Sequence, residues 1–198
     1  MKKLVTILCF VFVLVPAQKL FAQKFSLGPG VLLHSILVHE GNVIDMKSAP
    51  GLSLDFEVAF PVAPTFMIST GASFTGLAGY HFGGDTSLNL GEIFFDVPVR
   101  GRVCIDLGPN VVLQFIGGPV MSVNLVSIDA HASHTNNNYE TYPELRRFDV
   151  LVGFGVGVEL IKHIRITTGF DYGVLDRNGS SDAWMHRGQS KFGVQYIF

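Results

Sequence analysis

The 198 residues fit a single domain. Their composition is 48% hydrophobic and 15% charged, apolar for a soluble protein, yet beyond the N-terminus no stretch approaches a helical membrane span. Sixteen acids against fourteen bases argue against nucleic acid as a partner.

The chain opens with Met1-Lys2-Lys3 and an apolar run, Leu4–Val15, closed by Pro16 and Lys19. Small-residue cleavage chemistry follows at Leu20-Phe21-Ala22. A basic start and an apolar run too short to span a bilayer predict a secretory signal peptide over residues 1–22 and a mature domain over 23–198. That domain has eleven bases, sixteen acids and a formal charge of −5. It keeps one cysteine, Cys104, so no internal disulfide is available. A closed hydrogen-bonded barrel in lipid would hold such a chain. It would also hide its membrane signal, because only every second residue faces lipid.

The first expected strand is Phe25–Leu33, with Phe25, Leu27, Val31 and Leu33 on one face and Pro29 suggesting a bulge. A polar connection is expected over His34–Pro50. Gly51–Phe60 then alternates Leu52, Leu54, Phe56, Val58 and Phe60 against Ser53, Asp55, Glu57 and Ala59. A Pro-rich turn leads to Thr65–Phe74, followed by a Gly-rich loop over Thr75–Ser87. Leu88–Leu107 sets Ile93, Phe95, Val97, Val99, Val103 and Ile105 against Glu92, Asp96, Arg100, Arg102 and Asp106. A tight turn at Gly108-Pro109-Asn110 leads to Val111–Val126, and Ser127–Arg146 is the longest polar connection.

Arg147–Leu160 is the clearest stretch. Phe148, Val150, Val152, Phe154, Val156, Val158 and Leu160 alternate with Arg147, Asp149, Leu151, three glycines and Glu159. Period two over a full strand predicts one apolar and one small or charged face. Ile164–Val174 and Gly188–Phe198 repeat the pattern on either side of a polar stretch, Leu175–Arg187.

The reading is all-β: an eight-stranded antiparallel up-and-down transmembrane β-barrel. Its connections alternate long and short, as a barrel with short periplasmic turns and longer outer loops requires. A lipocalin-like barrel or β-sandwich would turn the apolar face inward and the polar face to water. Here the polar face is mostly Gly, Ser and charges of both signs, which suits a cramped interior.

Several segments resemble the PorT-like, or porin-family, outer-membrane β-barrel domain. Asp149–Leu160, with its Gly-x-Gly-x-Gly-Val-Glu-Leu core, is similar to that family's sixth strand, and Ile93–Val99 to its aromatic–acid–aliphatic–Pro strand. Gly169–Leu175 and Gly193–Phe198 also match. The resemblance implies an outer-membrane barrel of Gram-negative type, in contact with outer-membrane lipid, and little chemistry. It also implies that Phe198 is the C-terminal aromatic read by the barrel-insertion machinery.

The inward charges are expected to be Asp55, Glu57, Glu92, Asp96, Arg100, Arg102, Arg147, Asp149, Glu159, Arg165 and Asp171. They should pair across the lumen and plug it. Acids outnumber bases in this set, so some carboxylates are expected near the rims. Most histidines, His34 among them, fall in or beside the outer loops. Asp129, His131 and His134 have a spacing that can hold zinc or copper, but two His and one Asp lack a closed ligand set. No metal, cofactor or catalytic residue is therefore assigned. Asp85, Asp129, Asp182 and His186 would be the carboxylates and base of a loop-borne hydrolase, and the bland reading, scattered loop polarity, is preferred. The expected function is structural or interaction-based, with outer loops meeting an extracellular or envelope protein. The alternatives are a narrow passive transport pore and the hydrolase.

Overall fold

The computed structural model describes residues 23–40, 43–82, 88–131, 146–177 and 183–198. The expected leader, residues 1–22, lies outside them. Eight strands follow in chain order: β1 (Lys24–Glu40), β2 (Val43–Ala63), β3 (Phe66–Phe82), β4 (Leu88–Gly108), β5 (Val111–His131), β6 (Phe148–Leu160), β7 (Ile164–Gly173) and β8 (Ala183–Ile197). Each pairs antiparallel with the next, and β8 closes on β1.

The ladders fix the stagger of the barrel. From Phe94, partners lead through Thr75, Ser53, Gly30, Gly193, Thr167, Gly157 and Gln114 back to β4 at Cys104, ten residues further along. With a rise near 3.3 Å per residue and strands about 4.8 Å apart, a stagger of ten over eight strands tilts each strand by about 40°.

The faces follow the alternation. Leu52, Phe74, Val152, Phe154 and Tyr196 are exposed on the outer wall, whereas Ser26, Ser69, Gln114, Glu159 and Arg165 are buried inside. The barrel is thus inside out relative to a water-soluble one. Pro64-Thr65, Pro109-Asn110 and Ile161-Lys162-His163 are the tight turns at one end. Ile161 and Lys162 adopt left-handed backbone angles, φ 53° and 65°, and Ile161 N donates to Asn110 O at 2.8 Å, tying two of these turns together.

At the other end the strands run further than their apolar pattern does. His34–Pro50 is no connection: β1 and β2 stay paired to Glu40↔Val43. β3 reaches Phe82, β5 reaches His131 and β8 begins at Ala183. Pairing needs only backbone groups, so it continues where the outward apolar row is interrupted. Pro29 makes no bulge, since β1 keeps one register with β8 on both sides of it. The register shifts lie at Pro61/Ala63, Leu77/Tyr80, Ile93/Phe94 and Asp106/Gly108.

Candidate functional site: the charged lumen

Every second residue of each strand points inward, and the inward charges form three layers. Nearest the tight turns, Glu57 stands between two guanidiniums: Arg102 pairs with its Oε2, and Arg165 Nη2 lies 2.9 Å from its Oε1. Arg102 also donates to Gln114 Oε1 at 2.8 Å and Ser69 Oγ at 3.0 Å. Arg165 donates to Gln195 Oε1 at 2.9 Å and Ser26 Oγ at 2.5 Å. Glu159 accepts from Lys24 Nζ at 2.6 Å and Gln114 Nε2 at 3.2 Å. Most donors of each buried cation thus meet an acceptor, the condition under which buried charge is tolerated.

In the middle layer Arg100 Nη2 donates to Asp171 Oδ1 at 2.5 Å, and its Nη1 to the carbonyls of Gly118 and, at 3.3 Å, Gly153. The glycines make this possible. Gly118 has φ +146°, and a Cβ on Gly153 would stand 2.0 Å from Asp171 Oδ1. Lys191 pairs with Asp55, which also accepts from Ser73 at 2.5 Å and Ser53 at 3.2 Å. A cavity of about 130 Å³ lies beside these groups, lined by Asp55, Arg100, Thr167, Asp171, Gln189 and Lys191 among others.

The outermost layer is built on Glu92, Asp96 and Phe94. Glu92 accepts from Arg177 Nη2 at 2.7 Å and Asn124 Nδ2 at 2.6 Å. Asp96 accepts from Ser122 at 2.5 Å, with Arg187 Nη2 3.6 Å away. Phe94 is buried with Leu32, Ile36, Ala49, Leu77 and Met185, an apolar cluster inside an otherwise polar lumen.

Of the eleven residues expected in the lumen, ten turn inward. Arg147 does not. It precedes β6 at the open end and is exposed, so its long cation reaches water; its carbonyl accepts from Asn124 N at 2.7 Å. Acids do not outnumber bases either. Asp55, Glu57, Glu92, Asp96, Asp149, Glu159 and Asp171 face Lys24, Arg100, Arg102, Arg165, Arg177, Arg187 and Lys191, seven of each among the described residues. Four of these bases were missed. Lys191 shares the parity of Gln195 within the expected strand Gly188–Phe198, a signal that was available; Arg187 lies just before that strand, and Lys24 and Arg177 lie at or beyond strand ends, where parity gives none. His34, expected in or beside an outer loop, is buried in β1, its ring 5.6 Å from that of Phe94.

The side chains of Asp129 and His131 and all of His134 lie outside the described residues, as do Asp85 and Asp182. His186 is half-buried, with Nδ1 3.1 Å from Gly173 O and its ring stacked on Tyr172 at 5.5 Å. Among the described residues no three His, Cys, Asp or Glu side chains are grouped to hold a metal. Phe198 is 72% exposed at the turn end, its N donating to Phe25 O at 2.9 Å, and Tyr196 packs edge-on against it.

No family model matches the chain, and no curated protein matches it. Several solved structures are similar to it. Ail, the attachment invasion locus protein of Yersinia pestis, crystallised with the heparin analogue sucrose octasulfate, is 14% identical, with 88% of this chain and 99% of that chain covered and a TM-score of 0.42. Neisserial surface protein A is also 14% identical, at 88% and 97% coverage and a TM-score of 0.42. The outer membrane enzyme PagL is 12% identical, at 84% and 98% coverage and a TM-score of 0.40. The eight-stranded architecture stands on the closed ladder of the chain itself.

Proposed function

We propose that this protein is an outer-membrane β-barrel of structural or interaction type, resembling the PorT-like family, whose outer hairpins meet an extracellular or envelope protein. One observation carries the reading: a closed ladder with an apolar outer wall and a lumen filled by paired charges. In water that wall would expose far more contiguous apolar surface than a monomer tolerates. In lipid the same wall is solvated, and the closed ladder satisfies the backbone, as a bilayer demands. The outer layer around Phe94 and the turn-side layer around Glu57 block passage, with the cavity of the middle layer between them, so function moves to the outer end, where the strands run beyond their apolar span.

A cleaved leader over residues 1–22, insertion through the barrel machinery with Phe198 as its signal, and the absence of enzyme activity belong to the same proposal. Cell fractionation and gel mobility before and after heating test it. An outer-membrane fraction with heat-modifiable mobility is expected, and recovery of the mature chain in the soluble periplasm would overturn it. The pore reading has one observation in its favour, the internal cavity of about 130 Å³, and is addressed by conductance below.

A further inference from the structure

Above the pair Gly51↔Leu77 the barrel wall forks. β2 continues to Val43, paired among the described residues with β1 alone. β3 continues to Phe82, paired with β4 through Tyr80↔Leu90, His81↔Asn89 and Phe82↔Leu88. Among the described residues no β2–β3 pair joins the two branches there. The opposite side of the wall is bridged at its top. Asn124 N donates to Arg147 O at 2.7 Å, Arg146 N to Arg177 O at 2.8 Å, and Arg177 N to Met185 O at 2.8 Å.

The fork is written into the chain. The residue after the last β2–β3 pair is Pro50, which brings no N–H to a continued ladder. Across from it β3 changes register between Leu77 and Tyr80, and such an irregularity bends a strand away. The fork lies eleven residues along β3 from Phe66, which at the strand tilt above is about 28 Å higher. That is roughly the height of an outer-membrane apolar band, so the slot opens at the outer boundary of the lipid. Its inner floor is apolar: Ala49 and Leu77 are buried with Leu32 and Ile36.

We infer that the free edge of β2, Val43–Pro50, is a docking strand to which an extended segment of a partner polypeptide adds. The inference rests on the membrane reading above and names the surface through which contact is made. Along a strand edge, backbone donors and acceptors recur at a fixed spacing, and an extended backbone matches that spacing. The edge lies beyond the apolar band, so lipid chains do not cover it, and water holds its donors and acceptors until an extended backbone replaces it. A second copy is excluded by geometry. Two barrels in one membrane are related by an axis along the membrane normal, so their β2 edges run the same way and cross at about twice the tilt, roughly 80°. No ladder forms at that angle. The incoming segment therefore belongs to another protein. Its alternate side chains on one face are apolar to continue the inward row of Ala49 and Leu77, which is already buried, while its other face looks outward beside Met46 and Ser48, which are exposed.

The test uses the isotope-labelled protein in lipid nanodiscs and a synthetic octapeptide copying Leu33–Glu40, the strand that already pairs with this stretch from its other side. Two further copies carry N-methyl groups on one or the other alternate set of residues, removing donors along one peptide edge and leaving side chains intact. Saturable amide shifts centred on residues 43–50, with exchange of the newly paired amides slowed roughly tenfold or more, are expected. One methylated series should lose this effect and the other keep it. Absence of saturable shifts, equal binding by both methylated series, or amides on the free side of 43–49 already protected without peptide would each overturn the inference and leave the membrane reading intact. A chain that fails to insert into nanodiscs overturns the membrane reading instead, and the docking edge with it.

Discussion

Arg187 lays its guanidinium 3.8 Å from the centre of the Phe94 ring, deep inside the barrel. Arg177 covers the same ring at 5.2 Å. A desolvated cation over an aromatic face contributes about 2 kcal/mol, and here the contact also fixes two cations that pair with Glu92 and Asp96. Phe94 therefore acts as a stopper at the outer end, in series with the Arg102–Glu57–Arg165 layer nearer the turns.

Two barriers in series predict how conductance responds to mutation. In a planar bilayer the wild-type protein should show no stable, ion-selective steps. Phe94→Ala alone should stay closed, because the turn-side layer remains, and Arg102→Ala alone should stay closed for the converse reason. Arg102→Ala is suitable because Glu57 keeps Arg165 as a partner. The double variant should conduct. Reproducible steps in the wild type, with ion selectivity that changes on replacing Arg100 or Arg165, would favour the pore reading.

Glu57 should matter more to stability than its size suggests. It is the acidic partner of both Arg102 and Arg165. Glu57→Ala leaves two buried guanidiniums short of charge compensation, and removing one member of a buried pair costs about 3–5 kcal/mol. Lys24 is 40% exposed where it meets the buried Glu159, so water can take its place beside a carboxylate that keeps Gln114 Nε2, and Lys24→Ala should cost less, about 1–3 kcal/mol. Urea unfolding in lipid vesicles measures both. Similar small losses would mean that Glu57 is hydrated in the membrane.

The middle layer makes a sharper prediction through its glycines. A methyl at Gly153 would stand 2.0 Å from Asp171 Oδ1 and 2.2 Å from Phe170 O. Gly153→Ala must push Asp171 off Arg100 and should cost about 1–3 kcal/mol, as overpacking does. Gly108 has open space around it, so Gly108→Ala should be near neutral in the same unfolding titration. Equal effects would show that the glycines serve chain flexibility rather than room for the Arg100–Asp171 pair.

How much was legible in the sequence depended on what each face had to satisfy. Where the outer face is apolar, parity identified every strand and placed Asp55, Glu57, Arg100 and Arg165 inside. Beyond Leu33 and before Gly51 the outward apolar row is interrupted by Ser35, Ser48 and Pro50, and the alternation ended while the ladder did not. The same loss hid Arg187 and Arg177, which supply the cations that Glu92 and Asp96 need. Phe94 escaped notice for the opposite reason. It has inward parity but apolar chemistry, so it broke the rule that polar means inside. The fork at Pro50 and Leu77 is a relation between strands distant in sequence, and periodicity within one strand carries no trace of it.

The outer wall supplies the last prediction. Val156 is exposed on β6, paired across to Phe115 and Thr168 and about midway along the apolar span. Met46 is exposed too, at 61%, but it lies on the outer extension of β2, above the fork. If the wall is solvated by lipid, depth decides the cost of a charge. Val156→Arg should destabilise the barrel by about 2–4 kcal/mol, whereas Met46→Arg, outside the apolar band, should cost about 0–1 kcal/mol. In water both positions are simply exposed, and an arginine at either would be tolerated. Equilibrium refolding into lipid vesicles compares the two directly. Equal small costs would turn the apolar wall away from lipid and remove the ground for placing this barrel in a membrane.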